Sequence, residues 1–292
     1  MAELIKLRRQ IKSINTNRKI TNAMRLISMS LYAKLEKKNL ATIKYKNQIE
    51  TIFVNALKAN PSWQNPIIMQ NDLLDSNPLY IFIASTKGFC GSFNNNLIQH
   101  FKINFFKEEH QSIHFVTVGK KATNYIKDKP FGKMILSFEN LNPNNYVSIC
   151  DEILKIITST QTPYSSINVY SNSFVNFFIQ KPHKIALTPI NLKNLVSQKE
   201  DPTKGNAIDE MIWEGDQNQI LDHLAIKYLR TQILHFLFQS LLAEQASRFV
   251  AMDAATTNAD KILEKLTRNY NKSRQATITK ELLELSSSFS GY

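Results

Sequence analysis

Six histidines (His100, His110, His114, His183, His223 and His235) and two cysteines (Cys90 and Cys150) are the side chains through which a metal ion or a nucleophilic mechanism would have to work. Their pattern suits neither. There is no HExxH and no GxSxG, and two cysteines are too few for a zinc site or a disulfide framework. The carboxylates are spread along helical stretches near Lys or Arg, as on solvated faces. The stretch that comes nearest to chemistry is STKGFCGSFN, Ser85 to Asn94. It follows an apolar run and opens a helical one, which is where a dinucleotide-binding loop would sit. However, Gly88 and Gly91 make only a GxxG, and no acidic residue stands convincingly about 20 positions further on. The stretch therefore reads as a tight strand-to-helix turn whose glycines relieve crowding. No cofactor and no free nucleotide are expected.

The elements around that turn fall into three parts. All nine prolines, and six of the seven glycines, lie between Pro61 and Gly215. Residues 1–60 and 216–290 contain neither helix breaker. As continuous helices they would run roughly 90 Å and 110 Å at 1.5 Å per residue, longer than one domain is wide. In the first helix, apolar residues recur by three and four at Leu4, Leu7, Ile11 and Ile14, then at Ile20, Met24, Ile27, Leu31 and Leu35; NTNRK breaks the heptad between. The last helix repeats the pattern at Phe249, Met252, Ala259, Leu263, Leu266 and Tyr270, with Thr256, Ser273 and Thr277 in the same stripe. Such stripes suit a two-helix antiparallel coiled coil with small seam residues.

The middle alternates between strand-like and helix-like stretches: strands at 79–85, 112–119 and 133–138, and helices at 91–108, 120–128 and 146–160. A hairpin follows over 166–172 and 174–190, then a polar connector over 193–210. That order argues for an α/β, Rossmann-like domain with a mostly parallel sheet. The expected division is 1–60 and 216–292 for the coiled-coil helices and 61–215 for the central domain.

Charge is unevenly placed. The net value is +12, and residues 1–60 supply +10 of it, from 13 Lys/Arg against 3 Asp/Glu. A local field of that size seeks an acidic partner, whether nucleic acid, anionic lipid or an acidic protein surface. The basic residues surround the first helix rather than forming one stripe, and its aromatics are not interleaved for base stacking. Nucleic acid is therefore not the expected partner. The longest purely apolar run, LYIFIA (79–84), falls far short of the roughly 20 residues that span a bilayer. The basic amphipathic start has the look of a transit peptide but lacks an apolar h-region, and its periodicity continues past residue 30. It reads as part of a mature helix.

Specific motifs at both ends carry a resemblance. INTNRKITNAMRLIS, with Lys19, Ile20, Thr21, Ala23 and Met24, is similar to an NTxKITxAM core. EQASRFVAMDAATTNADKILEKL resembles EQxARMVAMxAATxNA, YNKSRQATITKELLEL resembles YNKxRQAxITxELxEI, and GFCGSFN is similar to GLCGxxN. Together they resemble the gamma subunit of rotary ATP synthases, in order along the whole chain.

That resemblance implies a non-catalytic rotor shaft inside a ring of alpha and beta subunits. Its foot would rest on a membrane c-ring, with an epsilon subunit among the partners and the whole on the inner face of a bacterial inner membrane. Arg274, Gln275 and Thr279 would meet the beta subunits' catch loops, while Met24 and Arg25 would lie near their acidic lever. Met211, Trp213 and Glu214 would belong to the foot segment on the c-ring. A slim, polar terminal helix would suit a bore in which it must turn. The other readings are a paralogous rotary ATPase's rotor, a Rossmann-type enzyme and a basic coiled-coil nucleic-acid binder.

Overall fold

The computed structural model describes residues 2–69, 77–105, 113–127, 129–159, 164–190 and 213–289. Absence of glycine and proline lets the two ends run as single helices, α1 (Ala2–Ala59) and α5 (Gln217–Phe289). Between them come β1 (Leu79–Ile83), α2 (Phe93–Phe105), β2 (His114–Val118), α3 (Lys120–Lys127), β3 (Lys133–Phe138), α4 (Tyr146–Ser159), β4 (Ile167–Phe174) and β5 (Gln180–Thr188). The chain divides into two compact units. One comprises residues 1–30 and 248–292, the other residues 31–247.

In the larger unit the strands form one sheet in the order β3-β2-β1-β4-β5. The first four are parallel and β5 is antiparallel to β4. This is the mostly parallel α/β sheet that the alternating pattern predicts. Every residue of β1 is buried because helices cover both faces. Leu79, Ile81 and Ile83 point to one side, where they join apolar residues of α1, α4 and α5 such as Phe53, Ile153 and Leu237. Tyr80 and Phe82 point to the other, into an aromatic core with Phe101 of α2, Phe115 of β2 and Tyr170 of β4. Period-two alternation thus assigns each β1 residue to one of two cores.

The connections have local causes. Gly119 ends β2 at φ +93, and a Cβ there would lie 2.1 Å from the Ala84 carbonyl oxygen. Only glycine fits that approach. The hairpin turns later than its sequence suggests. β4 continues to Phe174, and the reversal is made by Asn176, whose Oδ1 accepts from the amides of Phe178 and Ile179. An Asx-type turn of this kind supplies its own acceptor. The expected connector 193–210 lies outside the described residues.

In the smaller unit, α1 and α5 pair antiparallel. Arg18 Nη1 donates to Asp260 Oδ1 at 3.0 Å, and seven residues on Arg25 Nη1 donates to Asp253 Oδ1 at 2.7 Å. One residue number rises by seven while the other falls by seven, which only opposed helices in constant register can do.

Candidate functional site: the helix pair and the turn of the α/β unit

Burial along α5 repeats every three and four residues at Met252, Thr256, Ala259, Leu263, Leu266, Tyr270, Ser273 and Thr277. That heptad is the seam the sequence predicts for the last helix. Along α1 the seam differs from the expectation. It does not break at NTNRK but continues from Leu4, Leu7, Ile11 and Ile14 through Arg18, Thr21, Arg25 and Ser28. Ile20 is 53% exposed and Ile27 is 60% exposed, so these apolar residues turn away from α5. The physical reason is that the polar positions have partners across the seam. Thr256 Oγ1 lies 2.9 Å from Thr21 Oγ1 across the seam and 2.8 Å from the Met252 carbonyl on its own helix, and the two arginines meet carboxylates. Ser28 is fully buried and leaves no bulk between the backbones.

The residues expected to touch partner subunits fall into distinct settings. Met24 is half-buried beside the seam. Arg25 is half-buried and engaged by Asp253, which sequence reasoning missed because Asp253 lies 228 positions away. Arg274, Gln275 and Thr279 are exposed on successive turns of α5. The Thr279 hydroxyl is returned to its own helix, donating to the Gln275 carbonyl at 2.9 Å. The structure therefore groups Arg274, Gln275 and Thr279 on one stretch of helix and ties Arg25 into the pair. In the other unit Trp213 packs its partly buried ring against the core, while the adjacent Glu214 is exposed. Met211 lies outside the described residues.

The turn from Ser85 to Asn94 sits at the carboxyl end of β1, where the strand order reverses and where α/β sheets bind ligands. Here the turn is anchored by side chains around it. Asn94 Oδ1 accepts from the Ser85 amide at 3.1 Å, and its Nδ2 donates to Ser85 Oγ at 2.8 Å. Asn172 of β4 donates to the Phe93 carbonyl at 3.2 Å, and Ser247 of α5 to the Cys90 carbonyl at 2.8 Å. These bonds tie the turn to α2, β4 and α5. Cys150 is buried on α4, and desolvation pushes its thiol up to about 12, away from any nucleophilic role at neutral pH. Among the described residues, no group of three or more His, Cys, Asp or Glu could hold a metal ion. No described helix is long and apolar enough to cross a membrane.

A mostly parallel α/β sheet in one unit and an antiparallel helix pair with a polar seam in the other define a class of mixed α/β proteins with long terminal helices. Comparison with known proteins names the family. The protein-family profile described as ATP synthase matches residues 3–291, and this chain belongs to that family, among its gamma chains. It is 30% identical to the ATP synthase gamma chain of Pelagibacter ubique over 292 residues, covering 98% of each chain. It is 27% identical to that of Paraburkholderia xenovorans over 290 residues, again covering 98% of each. Among solved structures it resembles a chain of the Euglena gracilis mitochondrial ATP synthase, in its OSCP/F1/c-ring assembly. There the TM-score is 0.68 at 17% identity, covering 99% of this chain and 94% of that one. A rotor chain of the same synthase gives a TM-score of 0.63 at 16% identity, with coverage of 95% and 99%.

Proposed function

We propose that this chain is the central rotor shaft of an F-type ATP synthase and performs no catalysis itself. The observation that carries this reading is membership of the ATP synthase family over residues 3–291, with gamma chains as its full-length relatives. The polar seam and outward apolar residues of the helix pair support it. The solved relatives belong to assemblies described as F1 and c-ring. Carried to this chain, that gives alpha and beta subunits around the shaft, an epsilon subunit beside it and a c-ring beneath. Residues 1–60 and 216–292 form the shaft, and residues 61–215 form the foot.

An asymmetric shaft works by differential contact. Each beta subunit meets a different face, and each face favours a different state of that subunit's nucleotide site. Shaft angle and nucleotide occupancy are then linked reciprocally. Arg274, Gln275 and Thr279 are the exposed polar contacts with the beta catch loops, and Met24 lies at the acidic lever. Arg25, held by Asp253, keeps the helix pair in register at that contact. Trp213 anchors the foot segment to the core, leaving Glu214 and Met211 for the c-ring. The bacterial relatives support a place on the inner face of a bacterial inner membrane.

The test is direct rotation. The chain is assembled with its own alpha and beta subunits, the ring is fixed to a surface, and a probe is attached to the exposed residue Lys129 replaced by cysteine. Supply of magnesium ATP should turn the probe in one direction in discrete steps. Failure to form the complex, or a probe that only diffuses, would sink the reading.

A further inference from the structure

We infer that the packing of β5 on α5 is an acid-released clasp: protonation of His183 and His235, which lie against the same phenylalanine ring, opens the edge strand β5 while the parallel strands stay paired. The device goes beyond the rotor reading and does not depend on it.

The β4–β5 hairpin is held to the helices at two places of different chemistry. At its turn, Phe174 and Phe177 lie against Tyr32 of α1, with ring centroids at 5.9 Å and 4.8 Å. That contact is aromatic and holds no group that titrates near neutrality. In the middle of β5, His183 lies against Phe236 of α5 at 5.8 Å, and His235 lies against the same ring at 5.9 Å. β5 is the last strand of the sheet and pairs only with β4. Its release therefore breaks one ladder and leaves β1, β2, β3 and β4 in register, the kind of local opening an edge element can make alone.

The charged groups that bear on the two imidazoles are positive. Lys46 of α1 acts on His235, His100 of α2 acts on His183, and His183 acts on His235. Each opposes a further positive charge. The carboxylates of the neighbouring helices act elsewhere: Glu36 on Tyr32, Glu50 on Tyr228, and Asp151 on Arg230, which it holds at 2.7 Å. Lys184, next along β5, has its amine over the rings of Tyr80 and Tyr170 at 5.7 Å and 5.9 Å. Both histidines are half-buried. The Nδ1 of His235 has no hydrogen-bond partner among the described residues, and the Nε2 of His183 lies 3.3 Å from Ser171 Oγ.

Burial lowers the affinity of both rings for a proton, that of His235 to about 4. A backbone hydrogen bond at Lys181 acts the other way on His183, and burial outweighs it. The closed strand thus holds both rings neutral, whereas an open strand returns them to water, where they take up protons below about pH 6.5. The clasp is fully closed above that value and loosens as pH falls toward 4.

Hydrogen exchange on the full chain tests this, at pH 7.5 and pH 5.5, with rates corrected for the intrinsic effect of pH on exchange. Protection of the β5 amides over 183–186 should fall about tenfold between the two conditions from His235 alone. Protection of α3 (Lys120–Lys127), which contains no histidine, should change less than about twofold. His183→Gln with His235→Gln should make β5 protection the same at both pH values. Unchanged β5 protection in the native chain overturns the inference, as does an equal fall on α3 or a fall that persists in the double variant. Should that variant fail to fold, the imidazole proton signals of the native chain decide. His235 neutral at pH 5.5 in the closed strand is the expected result, and a protonated His235 with β5 still fully protected overturns the clasp.

Discussion

His235 on α5 and His183 on β5 both lie against the ring of Phe236, at 5.9 Å and 5.8 Å between centroids. Desolvation depresses both, and the positive charge of Lys46 adds to the effect on His235, which falls to about 4. The Nδ1 of His235 is buried and has no hydrogen-bond partner among the described residues. The folded state therefore holds His235 neutral where the unfolded chain, at its ordinary 6.5, takes up a proton. Stability is fully present above about pH 6.5 and is lost as pH falls toward 4, by about 3 kcal/mol for His235 at the lower limit. Urea melts of the chain between pH 7 and pH 4 should show that slope, and His235→Gln should flatten it; an unchanged slope would refute the assignment. Asp222 gives a second prediction. Its Oδ1 accepts from Trp63 Nε1 at 3.1 Å and from Asn65 Nδ2 at 2.7 Å, holding the turn after α1 onto α5. Trp63 is buried, so Asp222→Ala strands a donor away from water and should cost about 2 kcal/mol in a urea melt. Asp222→Asn keeps an acceptor and should recover much of the loss.

At the scale of the elements, the α1–α5 pair separates residues that hold the helices together from residues that only look as though they should. Ile20 and Ile27 are exposed, so Ile20→Ser with Ile27→Ser should move the thermal midpoint of the isolated chain very little, within about 0.5 kcal/mol of stability. The same double change should weaken binding to the alpha–beta ring. Ser28→Leu should do the reverse to the fold: a large side chain at that buried position forces the backbones apart and costs about 1–3 kcal/mol. Circular-dichroism melts on the three chains decide between these seams. The contrast also marks what could be read beforehand. Both long helices were legible from missing breakers, and the sheet from alternation, because these signals are local. The α5 seam was legible because its residues are apolar or small at heptad spacing. The α1 seam was not, because Arg18, Thr21 and Arg25 enter it only through Asp260, Thr256 and Asp253, more than 220 positions away. The hairpin tip was misplaced for a local reason: VNFFI looks like strand, and the one contrary signal was Asn176.

For the whole molecule, the decisive quantity is where charge is left unneutralised. Of the +10 carried by residues 1–60, Arg18 and Arg25 are partly offset by Asp260 and Asp253. Both ion pairs are substantially exposed, so each contributes about 0–1 kcal/mol to the fold. Lys6, Arg8, Arg9, Lys12 and Lys19 are exposed on the same helix, and their field reaches outward over about 10 Å at 0.1 M salt. A field of this kind steers encounter more than it strengthens the final complex. The rate at which this chain joins its alpha–beta ring should therefore drop about tenfold or more between roughly 50 mM and 500 mM salt, measured by surface capture with the ring in solution. Lys12→Glu with Lys19→Glu should lower the low-salt rate and shallow its salt dependence, without altering the urea midpoint of the free chain. Dissociation should hardly respond, because the exposed apolar residues Ile20, Leu26 and Ile27 remain to be buried once the partners have met. If salt acted instead on dissociation while leaving association unchanged, the basic helix would be a clamp at the interface, and the steering role would be wrong.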